Sequence, residues 1–384
     1  MKPSSAACVA VPAPHLPPSP APCRAPWRHC CTICRARIPC VRLDEPFWWY
    51  DEEAWGIAAC LAPIGAAYGW AAKSRFRRGK PYRSRLPVIC VGNFTAGGTG
   101  KTPLAIHLCE HLRAAGHEPV VLTRGYRGGL SGPYWVDRKT DSARDVGDEA
   151  LLLARAAPTQ LARDRQAGAR AIETGPNAAT VIIMDDGLQN PGLAKDLSIA
   201  VVDGSRGIGN GRVIPAGPLR APLDFQLELT DAVIVNEQSP GAGRHITEWM
   251  RRHFNGPVLR AVTIPAEDTS WLEERRVVAW AGIGAPQRFF DMLRACKADV
   301  RESVAFRDHQ MLQEVEALRL LALADRHDAT LVTTEKDLAR LSGAGGQLAQ
   351  LADSSRVLPI KLSLEKADAE RLSSLLDMAL KVRT

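Results

Sequence analysis

Three things are missing from this 384-residue sequence: an internal repeat of short period, a paired-cysteine framework, and charge spread evenly along the chain. Without a repeat, stacked-repeat architectures are set aside. Six of the ten cysteines (Cys8, Cys23, Cys30, Cys31, Cys34, Cys40) fall in the first forty residues, and Cys60, Cys90, Cys109 and Cys296 stand singly among apolar neighbours. Isolated cysteines suit a reducing compartment and buried, unreactive thiols, which excludes a disulfide scaffold. His29, Cys30, Cys31, Cys34 and Cys40 have no second paired motif after them, which argues against a structural zinc site. A secretory signal is excluded too, because no continuous apolar core follows the N-terminal charge. Residues 1–40, rich in Pro, Ala and Cys and without period, read as a disordered extension, and the native chain is expected to start near Val41. The formal net charge is +7, yet Lys73, Arg75, Arg77, Arg78, Lys80, Arg83 and Arg85 account for all of it, with no acidic residue among them. A diffuse nucleic-acid-binding surface is therefore excluded and a localised basic patch is left.

What is present is the balance of a folded globular protein, 46% hydrophobic and 24% charged, with length enough for two domains. The apolar stretch from Ala54 to Ala72 carries no charge and runs straight into the basic patch. As a helix it would be about 28 Å long, close to the ~30 Å hydrocarbon core of a bilayer. Its Ala and Gly content and Pro63 make it only modestly hydrophobic, while Phe47, Trp48, Trp49, Tyr50, Trp55, Tyr68 and Trp70 flank or punctuate it. With the basic flank, residues 41–85 read as a membrane-associated helix on an anionic membrane surface, spanning or interfacial; a buried core helix is the other reading.

From Leu86 the pattern becomes α/β. Val88–Val91, Pro119–Thr123, Val181–Met184, Ile199–Val202, Ala232–Val235, Val277–Ala281 and Thr330–Thr333 are short apolar runs alternating with helical segments. Such runs imply parallel strands covered on both faces, in two domains over 86–240 and 241–384. The first run leads into Gly92-Asn93-Phe94-Thr95-Ala96-Gly97-Gly98-Thr99-Gly100-Lys101-Thr102-Pro103, a strand, a glycine-rich loop and a helix start. Backbone N–H groups of Thr95 through Thr102 would cradle phosphates, Lys101 would reach the β- and γ-phosphates of ATP, and the Thr102 hydroxyl would ligate Mg²⁺. Thr95 stands where the strict pattern has glycine, so Gly97 and Gly98 are expected to supply the bend. Asp185 and Asp186 close an apolar strand and suit a shared cation; a helix cap or turn is the other account of them.

These segments, together with Thr123–Tyr126, Val146–Glu149, Asp185–Gln189, Pro215–Arg220, Ala281–Gly284, Phe306–His309 and Thr333–Asp337, resemble the tetraacyldisaccharide 4′-kinase family in order and content over roughly residues 42–380. The resemblance implies two α/β/α domains, the first P-loop NTPase-like, and an enzyme of lipid A biosynthesis at the inner membrane facing the cytoplasm. It implies Mg²⁺-ATP as donor and an acylated glucosamine disaccharide 1-phosphate as acceptor, with no nucleic acid and no obligate protein partner. By motif, Asp148 and His309 resemble the catalytic pair, Asp185, Asp186 and Gln189 the metal-site residues, and Arg220 a residue near the transferring phosphate or the acceptor. Ala221 and Gln310 depart from residues common in the family. Read from spacing alone, Asp148 serves equally as a helix N-cap, His309 as a surface turn, Arg124 and Arg127 as a solvated hairpin, and Lys336 as a structural lysine. A nucleotide switch is the competing class, but Val235-Asn236-Glu237-Gln238 is not a base-reading Asn-Lys-x-Asp motif. A soluble kinase of a small metabolite leaves the apolar helix unexplained.

Overall fold

The computed structural model describes residues 45–51 and 55–381. The cysteine-rich stretch 1–40 lies outside them.

Short Val/Ile runs buried on both sides need helices above and below, and the chain supplies them. A nine-stranded sheet has the order β13-β8-β7-β6-β1-β5-β2-β4-β3. Its strands are β1 (Val88–Asn93), β2 (Pro119–Thr123), β3 (Tyr134–Trp135), β4 (Thr159–Leu161), β5 (Val181–Asp185), β6 (Leu197–Asp203), β7 (Ala232–Glu237), β8 (Val258–Pro265) and β13 (Ile360–Leu364). All neighbours are parallel except the edge pairs β3–β4 and β13–β8. Because side chains alternate along a strand, Ile89 and Val91 face one way and Val88 and Cys90 the other. The first set joins Val121, Ile183, Ile199 and Ile234 in a core with Leu104 and Leu108, and with Leu372 and Leu376. The second joins Val120, Leu122, Ile182 and Met184 with Ala169 and Ile172.

A smaller parallel sheet, β10-β9-β11-β12, is built from β9 (Arg276–Ala281), β10 (Asp299–Ala305), β11 (Thr330–Thr333) and β12 (Ser355–Val357). Val277 and Ala279 pack under Phe289, Phe290 and Leu293, and Val278 and Trp280 under Ala317, Leu320 and Leu351 on the opposite face. The first sheet reaches past residue 240. Val258 to Pro265 is apolar enough to add β8 beside β7, so the first sheet's chain runs on to Pro265 and resumes at Ile360.

In chain order the helices are α1 (Trp55–Arg78), α2 (Lys101–Ala114), α3 (Ala143–Val146), α4 (Asp148–Ala156), α5 (Arg165–Glu173), α6 (Leu223–Glu228) and α7 (Arg244–His253), then α8 (Pro286–Ala295), α9 (Glu314–His327), α10 (Glu335–Arg340), α11 (Gly346–Ser354) and α12 (Lys366–Lys381). The long α1 contains Pro63 and the apolar stretch from Trp55 to Ala72. Among the described residues no helix is long and apolar enough to cross a membrane. Small residues explain why. A Cβ at Gly65 would lie 2.6 Å from the Val213 carbonyl oxygen, and one at Gly69 3.1 Å from Pro222, so these glycines let α1 lie directly on the loop 213–222. Around the rest of the helix Ile57, Ile64, Tyr68 and Trp70 are exposed. Trp49, grouped by sequence with the interfacial aromatics, is instead buried, and both Trp48 and Trp49 donate their indole N–H to the Pro215 carbonyl.

Candidate active site

The glycine-rich loop lies where a parallel sheet opens, at the C-terminal end of β1 between β5 and β6. Gly97 and Gly100 take the positive φ values, 102° and 100°, that turn the loop; Gly98 does not. Thr95 needs no glycine. It runs beside Leu219, its carbonyl accepting from Asn93 Nδ2 at 2.7 Å and from Arg220 Nε at 3.1 Å. Ala96 N–H donates to Pro218 O and Arg220 N–H to Phe94 O, so the Pro215–Arg220 segment is zipped along the loop. α2 then starts at Lys101 with Gly100 as its N-cap and no side chain capping it. Its first N–H groups therefore point their partial positive charge toward the loop, as a phosphate site requires.

Asp185 ends β5, and the chain turns sharply at Asp186, which has φ 49°. Non-glycine residues in this region cost backbone energy and concentrate at functional sites. The two acids have opposite environments. Asp186 faces cations: Arg220 Nη1 donates to both its oxygens at 2.9 Å, and Lys101 Nζ stands 3.8 Å away. Against its burial, Lys101 and Arg220 hold its carboxyl well below the ordinary range. Asp185 receives one hydrogen bond, from Thr123 Oγ1 at 3.2 Å, and its Oδ1 is buried with no partner. Burial, Glu149 and Asp186 push its carboxyl up to about 7. Gln189 spends its amide N–H groups on Asn93 O and Gln226 Oε1, so it braces the loop's base. Neither acid caps a helix; of the other account, the turn is what the structure shows, at Asp186.

The second constellation crosses between the two sheets. Asp148 opens α4, but Gly147, at φ 88°, is the N-cap; Asp148 is buried, with Oδ1 accepting only from the Glu149 N–H at 3.0 Å. His309 Nδ1 meets Asp148 Oδ2 at 3.0 Å. On its other side Lys336 Nζ lies 3.2 Å from His309 Nε2. An ammonium has only protons to give, so Nε2 accepts and the ring proton sits on Nδ1, donated to Asp148. His309 is no surface turn: its side chain is 10% exposed, it takes φ 58°, and Tyr126 packs edge-on at 5.4 Å. Arg127 reaches across to the Asp308 and His309 carbonyls at 3.2 and 3.0 Å, which places it in the same junction, while Arg124 is exposed. Burial alone would raise the Asp148 carboxyl. The His309 hydrogen bond and the charges of Lys336 and Arg340 outweigh it and hold the group well below the usual carboxylate range.

The two constellations are joined by Glu149, which pairs with Lys336 at 3.1 Å and lies within the field of Lys101. Gly284, in the loop between β9 and α8, approaches the Gly98 backbone, where a Cβ would stand 3.3 Å from its N atom. Sequence reasoning missed Glu149 and Arg340 and left Lys336 as a structural lysine. The available signal was in α10, where Thr334 caps the helix and Lys336 and Arg340 stand four residues apart on one face.

A family model described as tetraacyldisaccharide-1-P 4′-kinase matches residues 57–381. The chain belongs to this family. Tetraacyldisaccharide 4′-kinase of Nitrobacter winogradskyi is 45% identical over 345 residues, covering 89% of this chain and 99% of that relative. The same-named protein of Methylobacterium nodulans is 48% identical over 328 residues, covering 85% and 93%. Among solved structures, that of LpxK from Aquifex aeolicus in complex with ATP matches with a TM-score of 0.64 at 24% identity, covering 84% of this chain and 99% of that one, which shows the shared fold. The fold is thus the family's mostly parallel α/β arrangement.

Proposed function

We propose that this family member transfers the γ-phosphate of ATP to the 4′-hydroxyl of an acylated glucosamine disaccharide 1-phosphate, a step of lipid A biosynthesis. The observation that carries the reading is the junction itself: a buried Asp148–His309 pair contributed by the two halves, with Gly284 of the second half against Gly98 of the glycine-rich loop. Lys101 and the open N-terminus of α2 bind the β- and γ-phosphates, and Arg220, already aimed at the same point, neutralises charge on the transferring group. Asp148 Oδ1 accepts the proton of the attacking hydroxyl while His309 holds Oδ2. Its low pKa makes it a weak base. That suffices, because a loose phosphoryl-transfer transition state asks for positioning and charge neutralisation more than for proton abstraction.

The residues also fit Mg²⁺. Asp185 Oδ1 is a buried carboxylate oxygen with no partner, Asp186 adjoins it, and Thr102 lies in the first turn of α2. Asp185, Asp186 and the Thr102 hydroxyl would hold the ion, which would supply charge neutralisation for the phosphates. The lipid acceptor also gives α1 a role. Ile57, Ile64, Tyr68 and Trp70 with Arg75, Arg77 and Arg78 suit a helix lying in the interface of an anionic, cytoplasm-facing membrane leaflet, without spanning it.

The test is product analysis after incubating the detergent-solubilised protein with Mg²⁺-ATP and the tetraacyl disaccharide 1-phosphate. A second phosphate monoester located on the 4′-oxygen by ³¹P NMR supports the reading. ATP hydrolysis with no phosphorylated lipid overturns the acceptor assignment and brings the nucleotide-switch class forward.

A further inference from the structure

We propose that Arg340 is a positioning residue for Asp148: from the second sheet's half it fixes which carboxylate oxygen faces the acceptor hydroxyl. The inference rests on the reading of Asp148 as the proton acceptor.

Arg340 closes α10, and its side chain is only 4% exposed. A buried guanidinium is tolerated where its charge and its N–H groups are met. Nε donates to Asp148 Oδ2 at 2.7 Å, and Nη1 donates to Gly282 O and Asp337 Oδ1, both at 2.6 Å. Asp337 Oδ1 also accepts from the Gly282 N–H at 3.0 Å, so the β9–α8 loop, α10 and the guanidinium form one braced unit. Nη2 has no hydrogen-bond partner, and Asp308 Oδ1, likewise without one, stands 4.0 Å away.

Only Asp148 in this unit belongs to the first sheet's half; Gly282, Asp308, Asp337 and Arg340 all belong to the second. The bond is therefore made between halves. Its chemical consequence lies in a torsion. The terminal torsion of an aspartate is broad and two-fold, so an isolated carboxylate exchanges its two oxygens freely. Here two donors, His309 Nδ1 and Arg340 Nε, converge on Oδ2, leaving Oδ1 with a single backbone N–H. Oδ1 keeps a lone pair free, and its direction is set. One short helix does both jobs: Lys336 orients the histidine, and Arg340, one turn on, orients the aspartate.

The test uses the full-length protein in detergent, with steady-state lipid phosphorylation measured for Asp148→Asn, Arg340→Ala, Arg340→Lys and the double variant Asp148→Asn/Arg340→Ala. Far-UV circular dichroism reports folding. A misaligned reacting group costs about 10²-fold in rate. Arg340→Ala is therefore expected to lose about 10²-fold in kcat with the KM for ATP changed less than about threefold. Guanidinium ion at tens of millimolar should restore part of this loss in Arg340→Ala and nothing in Asp148→Asn. Removing both groups should cost no more than removing Asp148 alone, as for residues acting as one unit. Should Arg340→Ala not fold, Arg340→Lys carries the test through the same kcat-against-KM split. A folded Arg340 variant with kcat within about twofold of wild type, or losses that multiply in the double variant, overturns the proposal. An Asp148→Asn enzyme of undiminished kcat would instead sink the reading of Asp148 beneath it.

Discussion

Gly147 separates α3 from α4 and delivers Asp148, and the substitution Gly147→Ala tests how tightly that delivery is held. Gly147 has φ 88° and ψ 150°, a backbone region that is essentially glycine-only, and imposing it on alanine costs about 1–3 kcal/mol. There is no room to relax in place, because the new Cβ would lie 2.5 Å from the Tyr126 carbonyl oxygen, an atom of rigid backbone. The turn must shift, and Asp148 follows by one peptide unit. A displacement near 1 Å at a reacting group is worth about 10²-fold in rate. Two readouts are needed. The urea unfolding midpoint should fall with its slope unchanged, and kcat should drop about 10²-fold while ATP binding to the glycine-rich loop persists. A variant with wild-type midpoint and wild-type kcat would refute the argument that this backbone positions the acid.

Other expectations follow from the same geometry. Asp148 has its carboxyl held below the ordinary value of about 3.9, so its contribution to stability is present above that pH and is lost as pH falls further. Between about pH 5 and pH 3, wild type should therefore lose more stability than Asp148→Asn in urea titrations; equal losses would contradict the sign. Gly65→Ile places a branched side chain against the Val213 carbonyl and should lift α1 from the body, read as faster proteolysis within residues 55–78. Replacing Tyr68 and Trp70 together by Ser should weaken sedimentation with anionic vesicles without moving the unfolding midpoint, since both are exposed. The Cys90 and Cys109 thiols, pushed up by burial to about 11 and about 12, should resist alkylation in the native protein.

Much of this arrangement could be read from residues alone, and the reasons differ by element. Parallel strands announced themselves because burial on both faces makes an unbroken Val/Ile run, as in β1, β5 and β6. The phosphate loop was legible because glycine, lysine and a helix start are all local in sequence. Long-range facts were not. β8 and β13 join the first sheet through pairings that no local pattern encodes, so its reach to Pro265 and its return at Ile360 could not be read locally. Asp148 and His309 lie 161 residues apart, and only family resemblance suggested the pair. Arg340 escaped notice because an arginine ending a short helix is ordinary; its meaning comes from the carboxylate that a different sheet brings to it. α1 shows a related limit. Its glycines read as weak hydrophobicity, whereas their use is close contact with the 213–222 loop.

The central claim is that one junction both holds the nucleotide and transfers its phosphate to the lipid. The most direct measurement is transfer of ³²P from γ-labelled ATP to the disaccharide 1-phosphate by wild type, Lys101→Ala and Asp148→Asn, with nucleotide affinity measured in parallel. The expected result is a labelled lipid with wild type and at least about a 10²-fold slower rate in both variants, with ATP affinity impaired only in Lys101→Ala. Label transfer at the wild-type rate in Asp148→Asn, or none with wild type, would contradict it.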